Sequence, residues 1–257
     1  MTLIIGIRCS DGVVLGSDGA ATFAALGQPT IQQPTGKIRV VAGPMLLGVS
    51  GPIGLAQRFE WELTQQQLKG PIVGKPAVEI GSILREAFWT KVLANEYAVA
   101  AATQPVLGSL AQQDALSAIL LVVPSSDRAE LIQFDHCSAA EVASDELPFA
   151  SIGSGQTIAD PFLAFLKRVF WPNRAPTLNE GNFSALWTIR HAIRVNPGGI
   201  AAPAALYNLV RKDGNWVPRQ LDKNDLEEHE VAVAAAEDHL RGFTRGTTSA
   251  GPPPPSP

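Results

Sequence analysis

The second residue of this chain is a threonine, followed at once by the apolar run Leu3-Ile4-Ile5. Once Met1 is removed, Thr2 carries a hydroxyl and a free α-amine on one residue, and the amine can serve as base for the hydroxyl. A peptide α-amine titrates at about 7.7 to 8.0, against about 10.4 for lysine, so it can accept a proton near working pH. The small side chain of Thr2 also suits removal of Met1 by a methionine aminopeptidase. Other catalytic constellations fall away. GVSGP and IGSGQ fail the GxSxG nucleophile elbow, EEHEVAV lacks the second histidine of a zinc HExxH helix, and no GxxxxGK[ST] phosphate loop occurs. Cys9 and Cys137 form no CxxC pair, which argues against a disulfide framework or thiolate metal site. The chemistry thus calls for no metal and no cofactor.

Length and composition bound what can position such a nucleophile. The chain has 257 residues, 46% of them apolar, enough for one substantial core. One domain over 1–241 is expected, with a disordered Gly/Pro-rich tail over 242–257 ending in GPPPPSP. A net charge of −4 gives no basic block for nucleic acid or anionic lipid. The N-terminus lacks the charged and apolar regions of a signal peptide, and no window spans a membrane, so a cytoplasmic protein is expected. The histidines read as surface or helix residues, and tryptophans such as Trp61, Trp89 and Trp187 as core or subunit contacts.

The elements follow from turns and periodicity. Residues 3–9 and 13–17 are β-branched runs around Ser10-Asp11-Gly12, a strong hairpin signal. Thr2 therefore begins a strand and Asp18 ends the next. A loop with Gly27, Pro29, Pro34 and Gly36 is expected next, then a second hairpin over 37–41 and 46–49. Gly51-Pro52 opens a helix with Pro52 at its first position, and a second helix is expected from Ala77 to about Glu96. Strands follow at 118–123 and 129–134. A short strand then passes through Gly153-Ser154-Gly155 into a helix, and another helix covers 183–194. The strand pair in ALYNLVRKDGNWV and a helix over 222–241 close the core. Strands, a helix pair, strands and helices predict an α+β, four-layer αββα sandwich.

Five segments in order resemble the proteasome β-subunit family of N-terminal nucleophile hydrolases, over roughly Thr2 to Asp225. They are DGVVLGSD, KIRVV, GVSGPIGLAQRF, GSGQTIA and GGIAAPAALYNLVRKDGNWV. The Thr start and the LGQPTIQQPTGK loop are most similar to the bacterial proteasome homologue of β-proteobacteria. The peptidase subunit of the two-component ATP-dependent protease and the ancestral bacterial β-subunit are the nearest rivals. The resemblance implies a threonine peptidase hidden in a homo-oligomeric chamber, a stacked double ring of six or seven subunits each. Its substrates would be peptides or unfolded proteins, and any unfoldase or activator would be a separate protein.

The same resemblance assigns roles. Thr2 is the nucleophile, and Lys37 is the cation that lowers the pKa of its hydroxyl and amine. Asp18 anchors that lysine, since a buried lysine without a partner is costly. Gly51 offers its N–H to the tetrahedral oxygen beside a helix N-terminus. Ser154 orients the Thr2 amine; its alternative is an ordinary helix N-cap. Ala21, Thr22, Thr35, Arg39, Val49 and Ser50 would line the substrate groove, with Val49 flooring a pocket for a medium apolar side chain. One departure stands out: Arg194 and Pro197 occupy the places of an Asp and a Ser, and neither can complete the network around the amine. A catalytically weak binding ring, or a small-amide hydrolase of the same nucleophile class, are the alternatives.

Overall fold

In the computed structural model, which describes residues 2–25, 28–108, 116–196 and 199–247, the apolar runs become strands buried on both faces. Strands β1 (Ile4–Arg8) and β2 (Gly12–Ser17) pair antiparallel across the Asp11-Gly12 turn. The first sheet is completed by β10 (Phe149–Ile152), β11 (Ala205–Lys212) and β12 (Asn215–Gln220), in the order β10-β1-β2-β11-β12. The second sheet runs β5 (Ile38–Val41), β6 (Met45–Ser50), β7 (Ala118–Pro124), β8 (Ala129–Phe134), β9 (Ala140–Val142).

Period-2 alternation sorts the strand residues into layers. Ile4, Val13, Leu15, Leu46, Leu120 and Val122 meet between the two sheets. Ile5, Ile7 and Val14 point the other way, onto helices α4 (Gln156–Phe170) and α5 (Leu178–Val195). Met45, Leu47, Ile119 and Leu121 point onto α1 (Ile53–Lys69) and α2 (Ala77–Phe88). The result is the expected four-layer αββα sandwich. A π-helical turn, Trp89–Leu93, carries α2 into α3 (Ala94–Leu107), so helix continues well past Glu96.

Three further elements depart from the expected ones. The segment after Asp18 is a hairpin rather than a loop: β3 (Ala20–Ala25) pairs with β4 (Gln28–Pro34) as a separate two-stranded sheet. Among the described residues its prolines sit in a strand with one partner, where a missing N–H costs no ladder bond on the open side. Second, Pro52 is the N-cap of α1 and its carbonyl accepts from Leu55 and Ala56, one position earlier than predicted. Third, the last helix, α6, runs Lys223–Thr247, past the expected end at 241; residues 248–257 of the expected tail lie outside the described residues. Cys9 is buried, Cys137 is exposed, and both are free. Trp171 and Trp187 are core residues, whereas Trp61 is 66% exposed. Among the described residues, no helix is long and apolar enough to cross a membrane.

Phe88 is the hub of the outer core. It is fully buried and meets Phe59 at 5.1 Å and Phe134 at 5.3 Å, both edge-on. Phe88→Ala is expected to lower the free energy of unfolding by about 3–5 kcal/mol, read from a urea titration as a lower midpoint with unchanged slope.

Helix α5 begins five residues before the predicted start because Thr177 and Glu180 form a capping box. Glu180 N donates to Thr177 Oγ1 at 3.3 Å, and Thr177 N donates to Glu180 Oε2 at 2.8 Å. Arg174 holds the same carboxylate, and its hydrogen bond chiefly lowers the Glu180 pKa to about 2. A carboxylate depressed on folding contributes stability above its unfolded pKa, about 4.3, and loses it as pH falls through about 2. Thr177→Ala should cost about 1 kcal/mol at neutral pH. Glu180→Gln should remove the acid-dependent part, as thermal midpoints measured down that pH window will show.

Candidate active site

Register brings the predicted residues to one end of the sandwich. Ile4 pairs with both Ser17 and Ile152, so Thr2, Asp18 and Ser154 all lie just beyond the same end of the first sheet. Ala205 pairs with Ser17, which brings the segment before β11 beside Asp18. In the second sheet Ile38 pairs with Gly48, so Lys37 and Ser50 lie at one end of that sheet.

Thr2 is half-buried, and its N–H donates to Ser154 Oγ at 3.2 Å. The Ser154 hydroxyl in turn reaches the Thr2 carbonyl at 3.4 Å, and Gly155 N donates to that carbonyl at 3.2 Å. The N-cap of α4 is Gly155, and no side chain caps it, so Ser154 is not spent on capping. Its hydroxyl serves Thr2 instead.

Asp18 is fully buried beside Leu3, the residue after Thr2. Its Oδ1 accepts from Leu3 N at 2.8 Å and from Lys37 Nζ at 2.5 Å. Its Oδ2 accepts from Ala20 N at 3.4 Å and Ala201 N at 3.3 Å. The Lys37 side chain is 5% exposed, so this is a buried ion pair whose carboxylate oxygens are both hydrogen-bonded. Burial pulls the Lys37 ammonium below its ordinary pKa, and the Asp18 charge and hydrogen bond oppose that pull.

Two glycines shape the space. Gly153 has φ +96°, and a Cβ there would lie 2.2 Å from the Thr2 carbonyl oxygen and 3.1 Å from Ser50 Oγ. Sequence reasoning assigned Gly153 no role; the signal was the glycine on each side of Ser154. Gly51 has φ +139° and follows β6 directly; its missing Cβ would meet Leu116 O at 2.8 Å. Thus Ser50 reaches the Thr2 neighbourhood across Gly153.

The predicted groove residues divide. Thr35 N donates to Gly19 O at 2.9 Å, beside Asp18. Val49 packs half-buried against the α1–α2 core. Arg39 is ion-paired with Glu60 of α1. Ala21 and Thr22 lie on β3, but their side chains fall outside the described residues. Arg194 is held at 2.8 Å by Glu237 of α6. Pro197 and Met1 also lie outside the described residues. Among the described residues no group of three or more His, Cys, Asp or Glu side chains could hold a metal ion.

No family model and no curated protein matches the chain. Solved structures do, over nearly its whole length. Anbu (ancestral beta-subunit) from Yersinia bercovieri shares 14% identity at a TM-score of 0.68, covering 99% of each chain. An Anbu (Gly-1) mutant from Hyphomicrobium sp. strain MC1 shares 16% at 0.66, covering 98% of this chain and 99% of that one. A helical assembly of the Anbu complex from Pseudomonas aeruginosa shares 18% at 0.65, covering 99% and 98%. At these identities the likeness is one of fold. It overturns the resemblance to the β-proteobacterial proteasome homologue, because Anbu proteins are related to proteasome β-subunits but form a distinct family. The motifs quoted for it, an Asp-Gly hairpin and the glycines before α4, meet demands of the fold.

Proposed function

We propose that the chain is a threonine-type hydrolase of the N-terminal nucleophile class, cleaving peptide bonds in peptides or unfolded proteins within a homo-oligomeric assembly. One observation carries the reading: Thr2 N lies 3.2 Å from Ser154 Oγ, while the residue after Thr2 donates to the carboxylate that holds buried Lys37.

The mechanism follows from those groups. Removal of Met1 turns the Thr2 nitrogen into an amine, oriented by Ser154. The Lys37 charge and the N-terminus of α4 both disfavour an ammonium there, leaving the amine free to take the Oγ proton. Thr2 Oγ attacks the substrate carbonyl, and the Gly51 N–H donates to the oxygen that becomes negative. The amine then gives its proton to the leaving nitrogen, and water hydrolyses the Thr2 ester by the reverse proton path.

Homo-oligomerisation is supported by the fold shared with an Anbu helical assembly and by large exposed apolar side chains, among them Trp61, Leu68 and Val78. A head-to-tail contact closes into a ring or continues as a helix according to its rotation. The stacked double ring is the closed form, and an unfoldase or activator would be a separate protein. The engagement of Arg194 with Glu237 favours a second reading, an assembly with weak or no catalysis, because it leaves no acceptor from that position for the amine.

Intact mass and a peptide epoxyketone separate these readings. The expected result is a chain lacking Met1 with one probe adduct mapped to Thr2. Retention of Met1 throughout the population sinks the threonine reading, and processed but unlabelled protein supports the inactive assembly. Sedimentation of a species near the chain mass of 27.2 kDa would refute oligomerisation.

A further inference from the structure

We propose that Gly19 and the segment 199–203 form a clamp that positions Asp18, and through it Lys37; its catalytic consequence rests on the function proposed above. Asp18 lies between the end of β2 and the start of β3, so neither strand's ladder fixes its side chain. One carboxylate oxygen is taken by Leu3 N and Lys37 Nζ. The other is held by two longer contacts, Ala20 N at 3.4 Å and Ala201 N at 3.3 Å.

Ala201 grips this segment twice. Its N–H donates to Asp18 Oδ2, and its carbonyl accepts from Gly19 N at 2.8 Å. The approach requires glycine at 19: a Cβ there would lie 2.3 Å from Pro203 O and 2.8 Å from Pro203 N, both backbone atoms. Gly19 O meanwhile accepts from Thr35 N, two residues before Lys37. Gly19 thus joins the carboxylate's segment, the lysine's segment and a segment more than 180 residues away in sequence.

Asp18 has two jobs for Lys37. It sets where Nζ sits, and it keeps a proton on an amine that burial pushes toward neutrality. Loss of the Ala201 N–H leaves Oδ2 with the longer Ala20 N contact, which loosens the carboxylate's last torsion, and both jobs suffer. Gly19 and Ala201 are positioning residues, acting on the reaction only through Asp18.

The cleanest test replaces the 200–201 amide by an ester, incorporating lactic acid at 201 by suppressor tRNA, which deletes one N–H and leaves every side chain. Epoxyketone labelling of Thr2 should slow about tenfold near neutral pH, the loss of one hydrogen bond to a charged group. Its alkaline limit should also move to lower pH. Gly19→Ala should do the same more strongly, with a lower thermal midpoint. The titration of Lys37, followed by its 13Cε resonance and assigned with Lys37→Arg, is read in parallel and needs no catalysis. A lower Lys37 pKa in the ester variant supports the clamp even if wild type fails to label, a failure that counts against the proposed function alone. An unchanged Lys37 titration overturns the clamp.

Discussion

Thr2→Ala is expected to abolish probe labelling and to lower kcat/KM for a peptide substrate by about 10⁴ or more. Removing the nucleophile of a serine hydrolase costs on the order of 10⁶, and assay background sets the floor. The substitution is well isolated from the fold. Thr2 N and Thr2 O, which bond Ser154 and Gly155, are backbone atoms and persist in alanine. Only a methyl and a hydroxyl are lost from a half-buried position, so the thermal midpoint should hardly move. Thr2→Ser keeps the oxygen and should retain labelling at a reduced rate. A Thr2→Ala protein that turns over substrate like wild type would remove Thr2 from the mechanism.

The convergence at Thr2 was legible because hairpins transmit register. The Asp11-Gly12 turn fixes which residues of β1 and β2 face each other, and so places Asp18 beside Leu3 before any tertiary contact is known. Ser154 was legible for a different reason. A serine between two glycines at a strand-to-helix junction can cap or reach outward, and the cap at Gly155 decides between them. Backbone donors carry no such signature. Nothing in an alanine at 201 announces that its N–H meets a carboxylate 183 positions earlier. The β3–β4 hairpin was hidden by its own composition, since Pro29 and Pro34 spell a loop unless the strand has a free edge to hold them. The choice among related families was not legible because the strongest motifs satisfy backbone geometry. Glycine at 153 is required wherever a chain crosses the Thr2 carbonyl this closely.

Asp18→Asn tests the electrostatic half of the site, and its effects on stability and activity should separate by pH. The substitution keeps shape but removes the charge facing Lys37 Nζ at 2.5 Å. Breaking a buried pair from one side typically costs about 3–5 kcal/mol, because the remaining charge is stranded. Lys37 has an escape, which is to lose its proton. Burial already holds its pKa below the ordinary value, and Asp18 is what opposes that fall. Without Asp18 the pKa drops further. The sign follows: between the folded pKa and the unfolded value near 10.4, the unfolded chain binds more protons, so stability rises with pH across that window. In Asp18→Asn the window opens at lower pH, and part of the lost stability should return on going from about pH 6 to about pH 9. Activity should move the opposite way. A neutral Lys37 cannot favour the free amine or the Oγ anion, so kcat/KM should fall about 10²–10³-fold and its alkaline limit should shift down. Lys37→Met within Asp18→Asn removes the stranded charge altogether. That double variant should be more stable than Asp18→Asn at about pH 6 and should lose the pH-dependent recovery. Additive destabilisation of the two substitutions at every pH would show that the pair is not coupled, and the charge on Lys37 would then owe nothing to Asp18.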